Sequence, residues 1–175
     1  MLTYVPRWPL FVNLSAAILC LLCSTIYHNF MHNSSYIHNK LATLDYGGIC
    51  MLIMGSVYPP IFYPYACEPT HGIRDIFMII ITFNCIAGFL SLLNDKLASP
   101  ECRPYRGIMF IVLGFSSIFP LVYLHFTKDT VNISYFSSSP YVLGGFCYFF
   151  GAVIYVLRIP EKFVPKRFDI VGSSH

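Results

Sequence analysis

The chain reads as an all-α, polytopic transmembrane helical bundle with five spans, and three observations predict that class. Of its 175 residues, 56% are hydrophobic and only 11% charged, and a mean hydropathy of +0.63 is too apolar for a soluble domain. The apolar residues gather into five runs of about 18 to 22 residues, enough to cross a hydrocarbon core of roughly 30 Å at about 1.5 Å per residue. These runs are continuous rather than alternating, which excludes a β-barrel. Aromatic residues make up 17%, with 13 Tyr and 16 Phe, a composition suited to helix ends lying in the interfacial region.

The first span is placed at 9–28. It follows Arg7 directly, is longer than a signal-peptide core and is not followed by a small-x-small cleavage site, so it reads as a span rather than a leader. The second runs over 44–65 and contains Pro59-Pro60, which should kink or unwind its second half. The third covers 73–93, the fourth 107–126 with a milder break expected at Pro120, and the fifth 140–157. Gly47, Gly48 and Gly55, or Gly144, Gly145 and Gly151, could permit close helix approach. The polar links fall at 32–40, 68–75, 94–106 and 127–139, and 158–175 forms a tail. The whole chain, 1–175, is treated as one membrane domain.

Orientation follows from the 11 Lys and Arg. All but Arg7, Arg74 and Lys128 fall on alternate links and the tail. The positive-inside rule therefore puts 31–43, 94–106 and the tail in the cytoplasm, with the chain entering from outside. The formal charge of +3, without a basic cluster in a soluble-looking segment, argues against nucleic-acid binding. No row of acids or bases lines a path and no repeat is visible, which argues against transport. Cys20-Leu-Leu-Cys23 has zinc-knuckle spacing but no second pair. Asn132-Ile-Ser134 is the glycosylation sequon predicted to face outside.

This orientation brings three ionisable residues to the cytoplasmic face: His28 at the end of span one, Asp45 at the start of span two, and His175 in the tail. Ionisable groups at membrane depth are costly and are paired, ligated or functional. His28 can be a zinc ligand, with Ser24 one turn away on the same helix face, or an interfacial His bonded to a headgroup or a neighbouring helix. Asp45 can hold a zinc-bound water, act as general base or orient a ligating His; alternatively it is a carboxylate favoured by the helix N-terminus. His32 is a weaker candidate, while His38 and His71 read as solvated loop residues.

Several stretches together resemble one family. They are Ser24-x-x-x-His28; Leu44-Asp45-Tyr-Gly-Gly-Ile-Cys-Met-Leu-Ile-Met-Gly-Ser56; and Tyr58-Pro59-Pro60-Ile61. They continue with Arg158-Ile-Pro-Glu161, Lys166-Arg-Phe-Asp-Ile170 and Ser174-His175. On these the chain resembles the progestin and adipoQ receptor family, which includes the adiponectin receptors and haemolysin-III-like proteins. The opening Val-Pro-Arg-Trp-Pro9 resembles its plant and protist branch.

The resemblance implies a seven-helix fold with zinc near the cytoplasmic face, of which this chain covers helices two to six. It assigns His28 and His175 as zinc ligands, Asp45 as the acid holding zinc-bound water, and Ser24 as part of the same catalytic motif. The first helix, the seventh helix and the second histidine of the final HxxxH lie outside this sequence. The main functional expectation is a receptor or a role in lipid and zinc homeostasis. The alternatives are a zinc-dependent ceramide-type amidohydrolase and a truncated, non-catalytic fragment. The partners implied are a membrane lipid, with ceramide and sterol as candidates, and an extracellular ligand. The location implied is the plasma membrane or an endomembrane.

Overall fold

The computed structural model describes residues 5–65, 71–94, 97, 102–131, 137, 139–160 and 162–163. The helices are α1 (Trp8–Phe30), α2 (Ser35–Phe62), α3 (His71–Leu92), α4 (Arg103–Ser116), α5 (Ile118–Val131) and α6 (Ser139–Leu157). α4 and α5 share one crossing over Arg103–Thr127, so among the described residues five helical units are long and apolar enough to span a bilayer. The protein is a multi-pass membrane protein built as an all-α bundle. His175 and the Asn132 sequon lie outside the described residues.

α1 starts where Pro9 presets the helical φ in the first turn. It closes with the Met31 N–H donating to the Tyr27 carbonyl at 2.8 Å. Its buried residues are Pro9, Ala16, Cys20 and Tyr27, a narrow stripe, while many of its other large apolar side chains are exposed. In a membrane that exposure is normal, because lipid tails solvate them.

α2 is the central helix and begins well ahead of the expected 44. Ser34 caps it, its hydroxyl accepting from the Ile37 N–H at 3.3 Å. The stretch 35–43 is polar but has no breaker, so the helix extends out of the apolar region and takes His38 with it. His38 is therefore helical rather than a solvated loop residue, with Nδ1 3.3 Å from the Met31 carbonyl and its ring 5.5 Å from Tyr27. At the other end α2 stays helical through Pro59 and Pro60 and stops at Phe62. The Tyr63 N–H still reaches the Pro59 carbonyl at 3.1 Å, so the prolines precede the terminus rather than divide the helix.

Glycines set the helix spacing. A Cβ on Gly48 would lie 3.0 Å from the Cys20 Cα, one on Gly55 would lie 2.7 Å from the Ala16 Cβ, and one on Gly47 would lie 2.6 Å from the Phe89 ring. α1 and α3 thus close on α2 where it lacks side chains. Gly144, Gly145 and Gly151 have nothing within 4 Å, so α6 uses none of its own glycines for packing. It docks on α4 instead: Gly107 receives Val156, and a Cβ on Gly114 would lie 2.5 Å from the Tyr148 ring. The fourth crossing breaks at Ser117. Pro120 lacks the N–H that would bond to Ser116, and the Tyr65 hydroxyl donates to the Pro120 carbonyl at 2.6 Å in a buried contact.

Candidate functional site

The antiparallel helix order gathers the C-termini of α1, α3 and α6 with the N-termini of α2 and α4. It is the end that the Lys and Arg distribution predicts to be cytoplasmic. Two charged side chains are buried near it among the described residues, Asp45 at 8% exposure and Arg106 at 3%.

Arg106 comes from the first turn of α4, where the helix dipole opposes a cation. Its surroundings offset that. One terminal nitrogen donates to the Leu97 carbonyl at 3.0 Å and the other to the Tyr46 hydroxyl at 3.5 Å. The guanidinium also lies 4.8 Å from the centre of the Tyr46 ring, a cation–π contact strengthened by desolvation. Tyr46 follows Asp45 on α2 and its ring packs 6.3 Å from Phe110. Arg103, one turn before Arg106, donates from Nε to the Tyr155 carbonyl of α6 at 3.2 Å and stacks over the Tyr155 ring at 4.3 Å. Tyr27, buried at the end of α1, lies within electrostatic reach of Asp45, Tyr155 and Arg106. Four helices therefore contribute to one polar cluster.

The residues expected to form a metal centre do not converge in this way. Asp45 is buried in α2 and lies close enough to Cys20 and Tyr27 for its charge to act on both. Ser24 is half-buried on the same stretch of α1. His28 is exposed, its ring 5.0 Å from that of Tyr27. Adjacent helix positions are about 100° apart around the axis, so with Tyr27 turned into the bundle, His28 turns out.

Among the described residues no group of three or more His, Cys, Asp and Glu side chains is placed to hold a metal ion. The expected zinc site of His28, His175 and the Asp45-held water is corrected on that finding, and with it the zinc cofactor and the zinc role in function. Cys20 and Cys23 are free thiols, one buried and one half-buried.

Sequence reasoning missed Tyr27, Tyr46, Arg106 and Tyr155. The available signal was an arginine at the very edge of a span, followed directly by apolar sequence: Arg106-Gly-Ile-Met-Phe. An arginine there must either reach the headgroups or find partners within the protein.

Comparison with known proteins decides the family. The haemolysin-III-related family model matches residues 2–175. The chain belongs to that family. This haemolysin-III-related chain is 36% identical over 172 residues to heptahelical transmembrane protein 5 of Arabidopsis thaliana, covering 98% of the chain and 45% of the relative. It is 33% identical over 171 residues to heptahelical transmembrane protein ADIPOR2 of rice, covering 98% of the chain and 74% of the relative. With the adiponectin receptor protein of Drosophila melanogaster it shares 32% identity over 160 residues, covering 91% and 36% of the two chains. It spans about half the length of the Arabidopsis relatives it matches.

Proposed function

We propose that this chain is the non-catalytic helical core of an adiponectin-receptor-like membrane protein. In this reading its five crossings correspond to helices two to six of a seven-helix fold. They pass a conformational change between the membrane faces rather than hydrolyse a lipid. One observation supports this above the others: Arg106 of α4 is held by Tyr46 of α2, while Arg103 beside it is held by Tyr155 of α6. Separating a buried cation from its partners is costly, so movement of one of these helices displaces the others. The partners proposed are a membrane lipid, with ceramide and sterol as the candidate classes, and an extracellular ligand.

The test uses the full chain in lipid nanodiscs. Spin labels replace the exposed Tyr36 and Tyr105, which lie at the shared end. Adding ceramide or sterol to the disc is expected to shift the inter-label distance, and fatty-acid release from ceramide is expected to equal that of empty discs. An unmoved distance with every lipid tried would remove the receptor reading. Fatty-acid release abolished by Asp45→Asn would replace it with an enzymatic one.

A further inference from the structure

We propose that the cytoplasmic end of α6 carries a site for the phosphate group of an anionic lipid, held by Arg158 and Lys162 with Arg103 beside them. A half-open cavity of ≈ 380 Å³ lies there, lined by Val156, Leu157, Arg158 and Lys162. Among the described residues, its walls combine two cations with two aliphatic residues. That pairing suits a headgroup phosphate with the first carbons of its acyl region, at the depth where a span leaves the membrane.

The backbone builds the cavity. Arg158 follows the last residue of α6 and has φ 53, the left-handed conformation that glycine normally supplies at a helix end. The Ile159 N–H then reaches back to the Ile154 carbonyl at 3.2 Å, and the Lys162 N–H donates to the Arg158 carbonyl at 2.8 Å. This reversal places Lys162 against the helix end that it has just left. A cation thus stands where glycine would fit the backbone better, and such strain is characteristic of functional positions.

The cations are available. Both Arg158 and Lys162 are exposed, and among the described residues the one ion pair is Arg74 with Asp75, 2.8 Å apart at the opposite end of the bundle. Arg103 donates to the carbonyl of Tyr155, one turn before Arg158, and stacks over the ring of the same residue. In sequence Lys166 and Arg167 follow closely, with Glu161 and Asp169 as the carboxylates of the same stretch. A basic cluster immediately cytoplasmic of a span attracts phosphatidylserine and phosphoinositides.

The test compares the full chain and its variants in vesicles of phosphatidylcholine alone, with phosphatidylserine, and with phosphatidylinositol 4,5-bisphosphate. Lipid retained on the purified protein is read by native mass spectrometry. The informative variant is Arg158→Gly with Lys162→Gln, because glycine keeps the left-handed turn and cannot unfold the helix end. We expect enrichment of the anionic lipids on the parent chain and a loss of about fivefold for each cation removed. Arg158→Lys should retain most of the binding.

Equal retention by parent and double variant would overturn the site. So would a failure of Arg158→Lys to bind better than Arg158→Gly. Complete displacement of the lipid by millimolar inorganic phosphate would overturn the lipid assignment in favour of a free-phosphate site.

Discussion

Gly55→Ala is the sharpest test of the packing that holds α1 on α2. The added methyl would sit 2.7 Å from the Ala16 Cβ, with the Asn13 Cα and the Val12 carbonyl both at 3.3 Å behind it. Carbon atoms rest at about 3.5–4.0 Å, so α1 must retreat by about 1 Å. The Asn13 and Val12 contacts are backbone, and no rotamer change relieves them. Overpacking of this kind costs about 1–3 kcal/mol, offset by about 1 kcal/mol for replacing glycine within a helix. The net expectation is a loss of about 1 kcal/mol, a fivefold fall in the folding constant.

Gly144→Ala is the matched control, since nothing lies within 4 Å of that position; it should be neutral or gain up to about 1 kcal/mol. The chain carries a built-in reporter. Its one tryptophan, Trp8, meets Tyr58 and Phe62 edge-on at 5.9 and 5.1 Å. Its fluorescence during denaturation in mixed micelles therefore follows the separation of α1 from α2. Ala16→Gly removes the opposing methyl, and the double variant should show a favourable coupling of about 1–2 kcal/mol. Zero coupling, or a Gly55→Ala variant as stable as Gly144→Ala, would refute the close-approach reasoning.

Three further outcomes are expected. Tyr65→Phe leaves the Pro120 carbonyl without its buried donor and should cost about 1–3 kcal/mol in the same denaturation assay, although Tyr65 lies just past the end of α2. Arg106→Met strips donors from the Leu97 carbonyl and the Tyr46 hydroxyl and should cost about 1–3 kcal/mol; Arg106→Lys should fall between, because a lysine cannot fork to both acceptors. Ser34→Ala removes the cap of α2 and should cost about 1 kcal/mol, seen as faster hydrogen exchange at the amides of 35–38 and unchanged exchange near Gly55.

The spans were legible because their signal is bulk hydropathy, which bilayer thickness makes nearly sufficient. The contacts of Gly47, Gly48 and Gly55 were legible as one of two alternatives, since small residues mark a potential approach without saying which helix fills it. The start of α2 was obscured because Ser35–Thr43 is polar, and hydropathy does not register a cap followed by unbroken helical sequence. The choice between Tyr27 and His28 was obscured for a deeper reason. In water a helix announces its buried face by apolar residues; in lipid every face is apolar, and the inward direction has no such mark. Arg106 entered as a topology marker, and its burial appears only once Tyr46 of another helix is in place.

α2 has a mechanical consequence. Its 28 residues form one unbroken helix, about 42 Å long at 1.5 Å per residue, longer than the hydrocarbon core it crosses. Near its outer end Trp8 packs against its flank, and toward its inner end it carries Tyr46 and the segment capped by Ser34. Such a rod is a lever with its fulcrum where α1 and α3 press on the glycines. A tilt of about 5° about that fulcrum would sweep the inner tip, about 20–30 Å away, through roughly 2 Å, so a small adjustment among aromatic rings at one end of the helix is felt among the side chains at the other.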